Sequence, residues 1–503
     1  MSNHKFFLLI FLCLFYAQDL IARQDRPPNI ILILMDDLGW KDLGCTGSNY
    51  YQTPTIDKFA SEGLLFTNAY SAAPVCSPSR GAILSGKHPA RTKFTAVFST
   101  NEATDDILFL VAKPGESAMH RYNRVLNGLH YHALPKHEKT IGEYLQGLDY
   151  YTGYLGKWHA GSYSGYTPDQ RGFDFAEAYR TEMVGTGAHG HWAGPLSQYS
   201  PGLDNYPDSA YLTDVITDKA VEFVKNHKHH PFFLFISHYA VHTPLQAKKD
   251  KIEKYEKMRG DDQDNPTYAA MIESMDESVG SILSAIKTER IDNNTIIIFT
   301  SDNGGLTPYS TSNYPLLGGK SFAFEAGTRV PMIIRWPATL KGGQRSAQRV
   351  IGTDLLPTIY ELAGGDPSQI DTDGVSLLPV IQGSQLVDRS LFFHYPHYTS
   401  FTSPYSSVIK NDWKLIKFYN NPELPYMLFN LIKDPYEKND LSSQEPQRLK
   451  EMTNILNQLL NDTKAEYPLK NSNYKVMGPG INDRYTTYQK ALDIWNQMKQ
   501  KED

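Results

Sequence analysis

The chain has 503 residues, of which 41% are hydrophobic and 21% are charged, and this composition is typical of a globular protein and excludes a disordered one. The formal net charge of -6 supplies no general basic surface, which argues against a nucleic-acid partner. A bound anion would need a local group of cations.

The first 22 residues predict an export signal. Lys5 lies in a short basic start, the apolar run 6–16 follows, and the small residues Ala17 and Ala22 come next. The apolar run is too short for a membrane-spanning helix. We therefore expect a cleaved signal, an exported protein that is periplasmic or secreted, and no stable membrane insertion afterwards.

Five apolar runs alternate with segments of helical period. The predicted strands are 29–35, 150–156, 232–237, 295–300 and 331–336, and the predicted helices are 55–62, 214–226 and 268–287. This alternation predicts an α/β fold with a large, doubly wound and mostly parallel sheet flanked by helices.

The character of the chain changes near residue 400. Short strands at 406–410 and 413–418 and an amphipathic helix near 449–460 predict a small antiparallel sheet packed by a helix. We therefore expect a signal at 1–22, a main catalytic domain at 23–400 and a C-terminal α+β subdomain at 401–503.

Four of the five predicted strands end directly in residues suited to chemistry. These endings are Asp36-Asp37, 157–159, 238–242 and Asp302-Asn303. In open α/β sheets, ligand sites collect at the carboxyl ends of the strands. The fold therefore predicts that these side chains meet in one crevice.

The acidic endings predict a site for a hard cation. Asp36 and Asp37 alone fit a solvated turn equally well, but Asp302 and Asn303 at a matching position favour metal. Carboxylate and amide oxygens suit Ca²⁺ or Mg²⁺ and do not suit zinc.

The segment CSPSR at residues 76–80 is followed by GAILSG at 81–86. A buried structural cysteine beside a turn would be the ordinary interpretation of Cys76 alone. If a helix begins near Pro78, Arg80 lies one turn from Cys76, and both side chains can face one pocket.

This segment resembles the maturation signature of the type I sulfatases of the alkaline phosphatase superfamily, with Ser85 where that family usually has Thr. The segments GKWHAG at 156–161, AVHTP at 240–244 and LGGK at 317–320 are also similar to motifs of the family. The resemblance covers roughly residues 28 to 440 and extends to bacterial polysaccharide sulfatases and arylsulfatases.

The resemblance implies that a formylglycine-generating maturation enzyme oxidises Cys76 to formylglycine (3-oxoalanine), whose hydrated form attacks the sulfur of a sulfate ester. It also implies one Ca²⁺ ion, held by Asp36, Asp37, Asp302 and Asn303 with the residue made from Cys76 as a further ligand.

The remaining roles are carried over from the same motifs. Arg80 would stabilise charge on the formylglycine and the sulfate, and Lys157 and Lys320 would contact the sulfate. His159 would hydrogen-bond the formylglycine hydroxyl, and His242 is the candidate general acid. The segment HYPHY at 394–398 is similar to a strand end of polysaccharide-active relatives, so His394 and His397 are candidate sugar contacts.

The sequence thus predicts a calcium-dependent sulfuric ester hydrolase that removes sulfate from a sulfated glycan, with a role in polysaccharide degradation. Two alternatives stay open. One is a phosphodiesterase or phosphonate hydrolase of the same superfamily, and the other is a catalytically silent glycan-binding protein that retains the fold.

Overall fold

The computed structural model describes residues 26–97, 109–110, 124–161, 164–179, 190–194, 200–399, 401–421, 425–472 and 484–502. The predicted export signal at 1–22 lies outside the described residues. None of the described helices is long and apolar enough to cross a membrane.

A large sheet of eight strands forms the centre of the molecule, in the order β10-β2-β9-β8-β1-β7-β5-β6. Strand β9 runs antiparallel to β2 and β8, and the other neighbours are parallel. The eight strands are β1 Asn29–Met35, β2 Leu64–Tyr70, β5 Tyr151–Gly156, β6 Phe175–Glu177, β7 Phe232–Ser237, β8 Thr295–Ser301, β9 Arg329–Arg335 and β10 Gln344–Ile351. The predicted mostly parallel α/β sheet is confirmed.

A second, antiparallel sheet has four strands in the order β11-β12-β13-β14. These are β11 Leu391–Tyr395, β12 Tyr405–Lys410, β13 Trp413–Phe418 and β14 Tyr426–Asn430, and the short strands β3 Phe109–Leu110 and β4 Leu129–His130 pair with each other. The predicted small C-terminal antiparallel sheet is therefore present, and its first strand begins at Leu391.

The described α-helices lie between and after these strands. They are α1 Pro54–Ser61, α2 Cys76–Ser85, α3 Pro89–Thr92, α4 Ile141–Gln146, α5 Leu212–His227, α6 Lys249–Tyr255, α7 Pro266–Thr288, α8 Glu325–Thr328, α9 Leu355–Leu362, α10 Leu378–Ile381, α11 Pro446–Asp462 and α12 Arg484–Glu502.

Strand β1 shows why the central strands consist of continuous apolar runs. All seven of its residues are buried. Ile31 and Ile33 belong to the core that α5 and α7 cover, whereas Ile30 and Leu32 belong to the core on the opposite face, with α9. Because helices cover both faces of the sheet, both sets of side chains must be apolar.

Three strands of the large sheet, β2, β6 and β10, escaped the sequence analysis, and β6 has only three residues, all partly exposed. Strand β2 begins directly after Gly63, and its middle residues Thr67 and Asn68 interrupt the apolar run. Strand β10 lies at the edge of the sheet, and six of its eight residues are partly or fully exposed. None of the three strands is covered on both faces along its whole length, so none carries the continuous apolar signal of β1.

Candidate active site

The carboxyl ends of four strands lie side by side in the large sheet. Strand β1 pairs in parallel with β8 on one side and β7 on the other, and β5 pairs with β7. Met35 is opposite Ser301, and Leu34 is opposite Ser237, so these strands end at the same level. The polar residues that follow them are thereby brought to one crevice.

Cys76 is the first residue of α2, and all ten residues of this helix are buried. Arg80 lies one turn further along. Gly86 ends the helix in the left-handed region with φ 67°, a conformation that favours glycine. The Ser85 hydroxyl donates to the backbone oxygen of Gly81 at 2.8 Å, so this side chain hydrogen-bonds within the last turn of α2.

The Cys76 thiol lies against two carboxylates. Its Sγ is 3.5 Å from Oδ1 of Asp36 and 3.8 Å from Oδ1 of Asp37. Potential ligand atoms of these three residues and of His242 all lie within 4.8 Å of one another. Burial raises the pKa of the Cys76 thiol, so the unmodified side chain stays protonated and is a weak nucleophile.

Three cations face the same two carboxylates. The Nζ of Lys157 lies 2.6 Å from Oδ2 of Asp36, and the Nζ of Lys320 lies 2.7 Å from Oδ1 of Asp37. The Nη2 of Arg80 is 3.6 Å from Oδ1 of Asp36. Burial acts to raise the pKa of Asp36, but the charge of Lys157 and the other nearby cations outweighs it and holds this pKa well below its usual value.

Asp302 lies between Arg80 and the loop after β1. Its Oδ2 accepts one hydrogen bond from Nε of Arg80 and forms an ion pair with this guanidinium, and its Oδ1 accepts the backbone N–H of Asp37 at 3.2 Å. Burial raises the pKa of Asp302 to about 6, against the opposing charge of Arg80. Asp302 therefore contacts the backbone of Asp37 and is ion-paired with Arg80, but it is not one of the four residues whose potential ligand atoms all lie within 4.8 Å of one another.

The amide of Asn303 completes a set of oxygen donors. Its Nδ2 donates to Oδ1 of Asp37 at 2.8 Å, and its Oδ1 is buried and has no hydrogen-bond partner among the described residues. A buried acceptor of this kind fits a cation close to Asp36 and Asp37. Carboxylate and amide oxygens are the donors that Ca²⁺ takes, so the donor set fits that ion.

Of the two histidines predicted to act in catalysis, His242 lies beside Asp37 and Cys76. The Nε2 of His242 is 3.6 Å from Oδ2 of Asp37, and its Nδ1 hydrogen-bonds the backbone oxygen of Thr243. Burial, followed by the charge of Lys320, lowers the pKa of His242 to about 4. His159 follows β5 in the left-handed region with φ 58° and is half-buried, and its contact with residue 76 stays a prediction.

The two histidines of the second sheet differ in their surroundings. Both ring nitrogens of His394 are engaged, Nδ1 with the Ser406 hydroxyl at 2.6 Å and Nε2 with the backbone oxygen of Glu466 at 3.0 Å. The Nε2 of His397 hydrogen-bonds the Thr95 hydroxyl at 2.8 Å. Within the part of the chain that the structure describes, Nδ1 of His397 has no partner.

The sequence analysis missed two residues that hold the cations in place. The Ser237 hydroxyl accepts from Nη1 of Arg80 and donates to the backbone oxygen of Lys157 at 2.7 Å, and the Tyr154 hydroxyl donates to the same oxygen. Both residues lie on strands β5 and β7. Ser237 could have been found from the sequence, because it is a small polar residue at the last position of an otherwise apolar strand.

Family models match most of the chain. The sulfatase model matches residues 28–365, and a model described as N-sulphoglucosamine sulphohydrolase, C-terminal, matches residues 317–466. The second match covers the four-stranded sheet and α11.

Curated proteins with related sequences carry the same family name. The chain is 33% identical over 393 residues to N-acetylgalactosamine-6-sulfatase of Homo sapiens. This alignment covers 73% of this chain and 68% of that protein. It is 29% identical over 493 residues to a sulfatase of Formosa agariphila, covering 84% of this chain and 86% of that protein.

Among solved structures, Ps i-CgsB is similar over nearly its whole length, with a TM-score of 0.71, 28% identity, and coverage of 94% of this chain and 98% of that chain. The same protein solved with k-i-k-neocarrahexaose is similar to the same degree, with a TM-score of 0.71 and 29% identity. The chain belongs to the sulfatase family.

Proposed function

We propose that this chain removes sulfate from a sulfated carbohydrate, with formylglycine made from Cys76 as the nucleophile. The contact of the Cys76 Sγ with both Asp36 and Asp37 carries the proposal. In the structure the Sγ stands in for the hydroxyl oxygens of the hydrated formylglycine. These would replace a weak thiol nucleophile with an oxygen nucleophile at the same place.

Two of the similar proteins favour a carbohydrate as substrate. The human relative is named for action on an N-acetylgalactosamine 6-sulfate, and Ps i-CgsB has been solved with an oligosaccharide. Neither name identifies the sugar for this chain. The substrate class that they support is a sulfated polysaccharide or an oligosaccharide derived from it.

We propose one Ca²⁺ ion at this site, with the side chains of Asp36, Asp37, Asp302 and Asn303 and the residue made from Cys76 as its ligands. When bound, the ion would supply Lewis-acid stabilisation of the sulfate oxygens and favour an ionised formylglycine hydroxyl. The unpartnered Oδ1 of Asn303 and the all-oxygen donor set support this assignment. If this site binds calcium, the sulfatase activity should depend on calcium.

The cations would act on the sulfate group. Lys157, directly after β5, and Lys320, in the loop before α8, reach the crevice from different parts of the chain, so they can contact different oxygens of one sulfate. Arg80 lies on α2, the helix that begins with Cys76, and would stabilise charge on residue 76 and on the sulfate. Fixed cations in a buried site stabilise developing negative charge without reorganisation of solvent.

His242 would protonate the bridging oxygen of the leaving alcohol. Its Nδ1 hydrogen-bonds the backbone oxygen of Thr243, and its Nε2 lies 3.6 Å from Oδ2 of Asp37, beside residue 76. An anionic sulfate ester close to the ring would raise the pKa of His242 from about 4 and favour the protonated form. His159 would hold the proton of the formylglycine hydroxyl when sulfate leaves and the aldehyde is restored.

His397 is the better candidate for a sugar contact. Its Nδ1 has no partner among the described residues and could bond a sugar hydroxyl, but the ring is 1% exposed, so a sugar would have to reach a buried atom beside the ring of His130. His394 uses both nitrogens within the protein, so we assign it a structural role in the second sheet.

The maturation and location of the protein complete the proposal. We infer that a formylglycine-generating enzyme modifies Cys76 and that the protein is exported to a periplasm or to the medium for polysaccharide degradation. The basic start and short apolar run at 1–22 support the export signal.

The test uses protein co-expressed with a formylglycine-generating enzyme. Mass spectrometry of the peptide with residue 76 should show the aldehyde, and sulfate should be released from one or more members of a panel of sulfated algal and animal glycans. Cys76→Ala should abolish release while leaving the fold unchanged by circular dichroism. The proposal is wrong if the matured protein hydrolyses a phosphodiester faster than every sulfate ester, or binds glycans without releasing sulfate.

A further inference from the structure

Asp42 is a buried carboxylate with no part in the chemistry proposed above. It lies in the loop after Asp37 and is 0% exposed. Its Oδ2 accepts the backbone N–H of Gly39 at 2.8 Å and the Tyr268 hydroxyl at 2.7 Å, and its Oδ1 accepts the Thr311 hydroxyl at 2.7 Å. These donors come from three separate parts of the chain.

One of these donors also touches the backbone of Asp37. The Tyr268 hydroxyl lies 3.3 Å from the backbone oxygen of Asp37 and 2.7 Å from Oδ2 of Asp42. Asp37 has φ 63°, a left-handed conformation that is uncommon for residues other than glycine. The bonds of Asp42 to Gly39 and Tyr268 therefore brace the turn that directs the Asp37 side chain into the crevice.

A second donor links Asp42 to the loop that carries Asn303 and Lys320. Thr311 lies in this loop, and its hydroxyl bonds Asp42. The Nε2 of Gln263 also donates to Oδ1 of Asp42 at 3.1 Å and lies 3.3 Å from the backbone oxygen of Ser312. Asp42 thus joins the loop after β1 to the loop after β8.

The two loops are also packed too closely for either to shift alone. A Cβ added at Gly39 would lie 2.6 Å from Oδ1 of Asn313 and 2.8 Å from Oδ2 of Asp42. The Nδ2 of Asn313 donates to the backbone oxygen of Gly305 at 3.0 Å, and the same oxygen accepts the backbone N–H of Lys320 at 2.9 Å. Displacement of Asp42 would therefore also displace the loop after β8.

We propose that Asp42 is a positioning residue that sets the spacing between Asp37 and Asn303, so that their oxygens can bind one cation together. This inference rests on the proposed metal site. Groups that orient metal ligands without touching the metal commonly change metal affinity by about 10–100-fold when mutated.

Two substitutions test the inference in the full-length matured protein. Asp42→Asn keeps the shape of the side chain but places an amide N–H₂ among donors, and Tyr268→Phe keeps the ring and removes the bridging hydroxyl. Each should raise the calcium dissociation constant, measured by isothermal titration calorimetry after removal of metal, by about 10–100-fold. Saturating calcium should restore most of the sulfatase rate, because the defect is in affinity.

Asp262→Asn is the matched control. Asp262 is 2% exposed, accepts from Lys41 and from the Ser312 hydroxyl at 2.6 Å each, and lies in the same region. Its loss should leave the calcium dissociation constant within about threefold of the unmutated protein, below the range expected for a group that orients a metal ligand.

Unchanged affinity in Asp42→Asn, or an equal loss in Asp262→Asn, would overturn the role of Asp42. If Asp42→Asn does not fold, Tyr268→Phe decides the question alone. An unmutated protein that binds no calcium would instead refute the metal site on which the inference rests.

Discussion

The Nε of Arg80 donates a hydrogen bond to Oδ2 of Asp302 at 2.8 Å, and its Nη2 also lies 2.8 Å from this oxygen in the same ion pair. Its Nη1 also donates to the backbone oxygen of Lys157 at 2.8 Å. The guanidinium therefore connects α2 to the residues that follow β8 and β5. A side chain with a single ammonium group cannot reproduce this fork.

Arg80→Lys should accordingly lower kcat by about 100-fold, because the remaining charge is no longer held in place near residue 76. Arg345→Lys, at an exposed position, is the control and should leave kcat unchanged. Initial rates on 4-nitrophenyl sulfate would measure both. A rate for Arg80→Lys within about threefold of the unmutated enzyme would contradict the role of this fork.

Calcium should raise the melting temperature, because a ligand that binds only the folded state stabilises it by about 2.7 kcal/mol at one hundred times its dissociation constant. Asn303→Ala removes a proposed ligand and should lose most of this calcium-dependent shift. Asn293→Ala, at an exposed site, should keep it. Differential scanning fluorimetry with and without a chelator measures the shifts, and an equal shift in both variants would exclude Asn303 as a ligand.

His397→Ala should raise KM for a sulfated oligosaccharide about tenfold while leaving kcat/KM for 4-nitrophenyl sulfate unchanged, because the small ester has no sugar hydroxyl to bind. Both substitutions remove a buried ring and should lower stability, but His394→Ala, which leaves the Ser406 hydroxyl and the Glu466 carbonyl without this partner, should not raise KM for the oligosaccharide selectively. Steady-state kinetics on both substrates separate the two effects. Equal losses on both substrates would count against a sugar contact by His397.

The protein should lose stability in mild acid. Burial lowers the pKa of His88 to about 4 and that of His394 to about 3, so both are neutral when folded and take up protons on unfolding. Their stabilising contribution is complete above pH 6.5 and is lost as pH falls towards the folded pKa values. The slope is about 1.4 kcal/mol per pH unit for each histidine.

Urea denaturation at pH 7, 6 and 5 measures this slope. His394→Gln should reduce it, whereas His137→Gln should not, because the His137 side chain is 72% exposed. A pH-independent free energy of unfolding would show that these rings are protonated in the folded protein.

A buried lysine joins the second sheet to the short helix α8, which directly precedes β9. The Nζ of Lys414 lies 3.2 Å from Oε1 of Glu325 and 2.8 Å from Oε1 of Glu437, and all three side chains are at most 2% exposed. Lys414→Met removes the cation that lies between two buried carboxylates, leaving Arg329 at 3.6 Å from Glu325, and should lower the free energy of unfolding by about 3–5 kcal/mol.

Lys410→Met is the control for Lys414→Met. Its partner Asp388 is 58% exposed, so its loss should cost less than about 1 kcal/mol. Adding Glu437→Gln to Lys414→Met should recover part of the loss, since one of the two buried charges is removed. Urea denaturation of the single and double variants measures both effects, and no recovery would indicate that repulsion between the carboxylates is not the cause.

Much of the large sheet was predictable because its central strands are buried on both faces. Strands β1 and β7 match the predicted limits, since a continuous apolar run is a local signal. The same local pattern placed Asp36 and Asp302 at strand ends, and their convergence follows from parallel pairing. The helix α12, with its mixed polar sequence, carried no comparable signal.

The sequence by itself determined which residue types stand at the ends of the strands and at the start of α2, because apolar runs and short motifs depend on neighbouring positions. The tertiary structure alone decided that His394 and His397 are both buried, that only His394 has partners among the described residues for both ring nitrogens, and that Asp42 bonds Thr311. Such partners are hundreds of positions apart or on adjoining strands, and only packing chooses among them.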